Sequence, residues 1–336
     1  MQQIILGRSG LAVTRLGLGL AALGRPGYIN LGHTQDLASA SASAYAVDSM
    51  EQHAHTVLDA AWEAGVRYFD AARSYGKAEA FLGSWLRQRG IQPGEVTVGS
   101  KWGYVYTADW QVEAAVHEVK QYRVEVLRRQ RQESDAFLGP YLRLYQVHSA
   151  TLESGVLENA EVLAELARYR DEGLVVGLTI SGPGQTETLA RALDINPGGQ
   201  PLFACVQATW NLLEPSAGPA LQEAHSKGMG VIVKEALANG RLTPKNNDPL
   251  FAEKRRILEE TALELGTTLD GLALAAALTQ PWADVVLSGA ATQEQLQSNL
   301  KALSVAWDAT MGNKKMAPLA EERDGYWARR SAMPWN

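Results

Sequence analysis

The chain has 336 residues, 46% of them hydrophobic and 20% charged, so it can bury a sizeable core without disulfides or structural metal. Its net charge of −6 and dispersed basic residues point away from a nucleic-acid partner; the densest basic run, Arg128-Arg129-Gln130-Arg131, sits beside Glu125, Glu133 and Asp135 and reads as a solvated helix face. One cysteine, Cys205, excludes an internal disulfide framework and any multi-cysteine metal site, and its apolar neighbours make it a packing residue.

From the N-terminus, residues 4–6, the turn Gly7-Arg8-Ser9-Gly10 and residues 11–13 read as a hairpin. No targeting segment is expected before that turn, and the longest strongly apolar stretch, 272–278, is too short to span a bilayer. A cytoplasmic protein with no membrane partner is the expectation. Eight short apolar strands are then predicted at 15–20, 66–70, 96–100, 142–148, 175–181, 203–209, 230–234 and 285–289. Amphipathic helices are predicted at 53–64, 78–89, 111–131, 160–172, 185–193, 218–227, 253–266 and 293–304. Gly65, Gly173 and Gly228 each follow a helix, where a left-handed cap turns the chain back.

Alternating strand and helix implies a parallel sheet, and eight such units suit a closed (β/α)8 TIM barrel, a single domain over residues 1–336. Two stretches break the rhythm. A long first loop runs over 24–50, with an Ala/Ser-rich piece at 38–46, and an irregular tail over 308–336 carries Tyr326, Trp327 and Trp335. Such loops either shape the active-site face or decorate the surface.

In this fold, polar residues at the C-terminal ends of strands are candidates for catalysis. Asp70 ends the second strand, with Tyr75 five residues on; Lys101 ends the third and His148 the fourth. Singly each has a bland reading, as a solvated lysine, a loop tyrosine or a hydrogen-bonded histidine. Together they converge on one mouth. A tyrosine phenol gives up its proton poorly at neutral pH, and a nearby lysine lowers its pKa. An aspartate keeps that lysine charged, and a histidine holds the substrate oxygen. The set suits general acid catalysis on a carbonyl that accepts hydride.

These residues carry a resemblance. The opening Leu6-Gly7-Arg8-Ser9-Gly10-Leu11 through Leu18-Gly19, and Gly65-Val66-Arg67-Tyr68-Phe69-Asp70-Ala71-Ala72 through Tyr75-Gly76, are similar to segments of the aldo-keto reductases. The resemblance implies a barrel whose N-terminal hairpin closes the bottom, with Tyr75 as proton donor, Lys101 and Asp70 assisting it, and His148 orienting the carbonyl. It also implies a nicotinamide cofactor, NADP(H) favoured and NAD(H) possible, and a small carbonyl or alcohol substrate.

For that cofactor the resemblance implies Ser181 and Gln207 at the nicotinamide carboxamide, with Gly182 where relatives have asparagine, and Trp210 stacking on the ring. Trp210 as a core aromatic is the alternative. The loop Lys234-Glu235-Ala236-Leu237-Ala238-Asn239-Gly240-Arg241, which departs from the usual tyrosine-serine-proline opening, would cover the pyrophosphate through Leu237, Gly240 and Arg241. Lys234 or Arg241 either meets a phosphate or stays a surface charge. Gly289, Thr292, Gln295 and Asn299 match positions that hold the adenosine phosphate. Lysine and arginine, common there for the 2′-phosphate of NADPH, are absent, which weakens the case for NADPH. Trp102 and Tyr104 are expected in the substrate pocket.

Gly17-Leu18-Gly19-Leu20-Ala21-Ala22 matches a loose dinucleotide fingerprint but lacks the following helix. His53 and His55 have no third ligand nearby, so no metal is expected. A cofactor-binding regulatory subunit with slow turnover and a sugar or secondary-alcohol dehydrogenase remain alternatives; a barrel hydrolase or lyase has no supporting motif. Oligomeric state is not legible.

Overall fold

The computed structural model describes residues 1–38 and 45–336. β1 (Gln3–Ile5) and β2 (Ala12–Thr14) form the expected antiparallel hairpin. Parallel strands β3 (Leu16–Gly19), β4 (Tyr68–Asp70) and β5 (Thr97–Trp102) come next. β6 (Tyr104–Tyr106) and β7 (Glu118–Lys120) make a second antiparallel hairpin outside the main sheet. β8 (Leu142–Ala150), β9 (Val175–Ile180), β10 (Cys205–Thr209), β11 (Gly230–Lys234) and β12 (Val285–Ser288) complete the set. The main sheet closes as β10-β11-β12-β3-β4-β5-β8-β9, the eight-stranded TIM barrel.

These strands read as apolar runs because both faces are covered, by helices outside and by side chains inside. The N-terminal hairpin plugs the bottom. Leu6, Leu11 and Val13 pack with Tyr68, Leu144, Cys205, Ile232 and Val285. Gly7, at φ +47°, approaches the start of β11 so closely that a Cβ would lie 2.2 Å from the nitrogen of Gly230. Cys205 is fully buried there, as a packing residue.

Several predicted elements differ. The helix expected over 111–131 is instead β7 followed by a helix at Val124–Leu138. Asp109 and Trp110 take left-handed φ values of +46° and +62°, incompatible with an α-helix, and turn the chain back to pair Tyr104–Tyr106 with Glu118–Lys120. Buried Gln130 then ties that hairpin to the helix, accepting from Gly103 N at 2.8 Å and donating to Tyr104 O at 2.8 Å.

The first loop holds a short helix, His33–Ala38, and the next helix starts at Val47 rather than 53. Of the Ala/Ser-rich piece, residues 39–44 lie outside the described residues. The tail is not irregular: it contains helices Ala309–Met316 and Arg323–Ser331. The apolar stretch near 272–278 belongs to helix Leu269–Leu278, which had no amphipathic period to betray it because every residue in it is buried. No single helix among the described residues is long and apolar enough to cross a membrane.

Candidate active site

Asp70, at the end of β4, is the hub of the barrel mouth. It forms a buried ion pair with Lys101 at the end of β5. Its other oxygen accepts from Tyr68 Oη at 3.1 Å, Gln146 Nε2 at 3.2 Å and Gln207 Nε2 at 3.0 Å. Lys101 also donates to Ala71 O at 2.9 Å. A buried charge pair whose carboxylate accepts several further hydrogen bonds is the arrangement that makes such burial tolerable.

Tyr75 and His148 stand edge to face, ring centres 5.4 Å apart, and both line one cavity. Lys101 Nζ lies 4.7 Å from the centre of the Tyr75 ring. All four catalytic candidates therefore converge as the sequence implied. The electrostatics differ from that expectation. Burial pushes the Tyr75 phenol well above its ordinary value and Asp70 adds to this, while Arg25 opposes it. The lysine charge is spent on Asp70, so the phenol is held protonated.

Burial, reinforced by Lys101 and Lys234, holds the His148 imidazole well below its ordinary value, and hence neutral. Its Nδ1 lies 3.4 Å from Ser74 Oγ. A hydroxyl donating there leaves an Nε2–H for a substrate oxygen. Ser149, the next residue, has φ +50°, and β8 slips register against β9 at this point. The slip exposes the Ser149 side chain to the cavity, where its Oγ lies 3.3 Å from Ser181 Oγ.

The cavity, of about 450 Å³, extends from Tyr75 to the N-terminus of helix Gln293–Leu300. Ser181, Gln207, Leu237, Gly240, Gly289, Gln295 and Asn299 all line it, as implied for cofactor binding. Gly240 has φ +87° and lets the loop after β11 pass Asn30 and Leu31, where a Cβ would come within 3.0 Å of Leu31. Thr292 is not in the wall. It caps the helix, accepting from Gln295 N at 3.2 Å, while Gln295 Oε1 accepts from Ala291 N at 2.8 Å.

Four other assignments are corrected by the structure. Trp210 turns into the core, edge-on to Trp282 at 5.8 Å and 6% exposed, and does not reach the cavity. Trp102 is completely buried against Tyr122. Arg241 is locked in a two-point ion pair with Glu321, at 2.6 and 3.1 Å, away from the cavity wall. Tyr104 stands behind the wall, its ring centre 4.7 Å from that of His148, and supports that ring.

Sequence reasoning missed Arg25, Tyr28, Glu118, Asp270 and Arg330, all of which line the cavity. Arg25 packs over Tyr28, Tyr75 and Trp335, with ring centres at 5.4, 5.2 and 4.6 Å. Arg330, from the tail, pairs with Glu235 at 2.7 Å. Lys234 occupies the end of β11, where its Nζ donates to Ser181 Oγ at 2.9 Å and Thr209 Oγ1 at 3.0 Å. Burial lowers its pKa to about 8. Among the described residues no cluster suits a metal ion.

Comparison with known proteins bears on the family and the fold. The model of the aldo/keto reductase family matches residues 16–314. The chain is similar to an uncharacterized oxidoreductase, YrpG, of Bacillus subtilis, at 25% identity over 92% of this chain and 93% of that protein. It is equally similar to L-glyceraldehyde 3-phosphate reductase of Escherichia coli K12, at 25% identity over 95% and 91%. Among solved structures, aldo-keto reductase AKR11C1 from Bacillus halodurans superimposes with a TM-score of 0.72 at 20% identity, covering 96% of this chain and 97% of that one, which supports the fold.

Proposed function

The chain belongs to the aldo/keto reductase family and is an NAD(P)-dependent oxidoreductase, and from that premise we propose that it reduces a small aldehyde or ketone with Tyr75 as the proton donor. The observation that carries this is the convergence of a protonated Tyr75 phenol and a neutral His148 on one cavity wall.

The cavity fits a dinucleotide. It is long, and at the end far from Tyr75 it carries a buried carboxylate oxygen, Asp270 Oδ1, with no partner. A bound reduced nicotinamide cofactor supplies the hydride. Ser181, Gln207 and Lys234 would hold its redox end, and Leu237, Gly240, Gln295 and Asn299 the remainder. His148 donates to the carbonyl oxygen and fixes its orientation. As negative charge develops on that oxygen, Tyr75 passes its proton to it. A phenol with a raised pKa still protonates an alkoxide downhill, whereas alcohol oxidation needs the phenolate that burial disfavours. Oxidation should therefore require a higher pH than reduction.

For the cofactor we favour NAD(H), reversing the order expected from sequence. No lysine or arginine occurs between 288 and 299. Asp270 suits a ribose 2′-hydroxyl and repels a 2′-phosphate.

The test is loss of reduced-nicotinamide absorbance with a panel of small carbonyls. Tyr75→Phe should lower turnover by roughly 10²–10⁴-fold with cofactor binding kept. Tight cofactor binding without turnover on any substrate, in either direction, would point instead to a regulatory subunit.

A further inference from the structure

Lys234 is an ammonium at the barrel mouth whose two hydrogen-bond acceptors, Ser181 Oγ and Thr209 Oγ1, are both neutral hydroxyls. Its neighbour Glu235 is turned to Arg330 and to Thr209 Oγ1, at 2.9 Å, by a backbone with φ +54°. Asp70 is taken by Lys101. An ammonium has three donors, so one remains for an occupant of the cavity that Lys234 lines.

The identity of that occupant follows from position. The reacting carbon of a hydride donor must lie near Tyr75, and Ser181 and Gln207 are the neutral polar side chains available there for its carboxamide. Gln207 commits its nitrogen to Asp70, so its oxygen is left to accept from an amide NH2. The carboxamide oxygen then needs a donor; Ser181, which accepts from Lys234, has Ser149 Oγ at 3.3 Å to take its own hydroxyl proton. Gly182 offers no side chain.

We infer, on the reading that this cavity binds a nicotinamide dinucleotide, that Lys234 supplies that donor and thereby discriminates the redox states of the ring, holding the neutral reduced form more tightly than the cationic oxidised form. The reduced and oxidised cofactors differ by one positive charge on the ring and share their phosphates, riboses and adenine. A fixed ammonium beside the ring opposes only the oxidised form. Two like charges separated by several ångströms in a partly desolvated site account for a discrimination of about tenfold or more. It leaves the overall equilibrium of the reaction untouched. It speeds release of spent cofactor and keeps the reduced form bound.

The charged groups facing Lys234 are Glu235 on its own strand end, Arg330 from the tail, Lys101 on β5, Asp70 on β4 and His148 on β8. The carboxylates are ion-paired and the imidazole is neutral, so Lys234 is the group there that titrates just above neutrality.

The experiment is a pair of dissociation constants, for NADH and NAD⁺, measured by quenching of tryptophan fluorescence and by competition. Wild type should prefer NADH. In Lys234→Met the ratio of the two constants should fall about tenfold, and Lys234→Arg should restore the preference. The wild-type ratio should also fall between pH 7 and 10, a measurement that needs no variant and stands if Lys234→Met fails to fold. A ratio unchanged by removal of the lysine, or flat across that pH range, overturns the inference. Absence of binding by NADH, NAD⁺, NADPH and NADP⁺ alike overturns the cofactor reading itself.

Discussion

The guanidinium of Arg25 lies 5.2 Å from the centre of the Tyr75 ring and donates to the carbonyl of the preceding residue, Ser74, at 2.9 Å. It is the cation that lowers the Tyr75 pKa against burial and Asp70. Arg25→Met should therefore raise that pKa further. Oxidation of an alcohol needs the phenolate, so the rising limb of its pH profile should move to higher pH. The pH profile of kcat/KM in the oxidative direction reads this directly. An unshifted profile would show that Arg25 serves only to shape the pocket.

At the other end of the cavity, Asn299 bridges two groups when its amide nitrogen faces Asp270 Oδ2 at 3.2 Å and its oxygen accepts from Ser288 Oγ at 2.8 Å. That holds the Asp270 carboxylate, part of the cavity lining, at the start of helix Leu269–Leu278 with Oδ1 buried and without a partner. Wild type should bind NADH more tightly than NADPH. Asp270→Ser should close the gap by about tenfold, chiefly through tighter NADPH, because it removes a charge that opposes the 2′-phosphate. Equal affinities in wild type would remove Asp270 from this role.

The barrel and its four catalytic candidates were legible because strand ends are fixed by the apolar rhythm, and a strand end in this fold points at the mouth. What was not legible is side-chain direction one or two residues beyond the strand. Trp210 follows β10 and folds inward against Trp282, while Lys234, at the end of the adjacent strand, faces the cavity. Arg25 and Arg330 are 305 positions apart and reach the mouth from a loop and a tail helix, so no local spacing marks them. Asp270 did leave a signal: a lone acid opening an otherwise apolar ten-residue helix, where an unexplained charge calls for a partner.

Burial of Lys234 makes a second prediction about stability. Its pKa falls from 10.5 to about 8 in the folded protein, so folding expels a proton between those values. Below pH 8 both states are protonated and the folded state carries the whole penalty. As pH rises from 8 to 10.5 the unfolded state binds more protons, and the contribution of this group to stability increases. Lys234 lines the cavity and is only half-buried, so solvent screening reduces the penalty, to roughly 1–2 kcal/mol. Lys234→Met should melt at higher temperature than wild type at pH 7, with the difference shrinking by pH 10. A constant difference at both pH values would mean that packing, not charge, sets it.

Asn336 caps a helix that is far from it in sequence. Its Oδ1 accepts from His33 N at 2.9 Å and Thr34 N at 3.3 Å, the first free N–H groups of helix His33–Ala38, and its Nδ2 donates to Asn30 O at 2.9 Å. Backbone bonds in both directions join it to Tyr28, at 2.9 and 3.2 Å. The preceding residue, Trp335, stacks on His117 with ring centres 4.0 Å apart and lines the cavity over Arg25. The tail and the first loop thus hold each other over the Tyr75 end of the cavity. Removing a cap of this kind costs about 1 kcal/mol locally. Asn336→Ala should speed amide exchange at His33 and Thr34 and raise the KM for the carbonyl substrate severalfold with kcat little changed. Asn336→Asp, which keeps an acceptor at the helix start, should restore protection at those two amides. Unchanged exchange in the alanine variant would show that the backbone pairing with Tyr28 holds the loop alone.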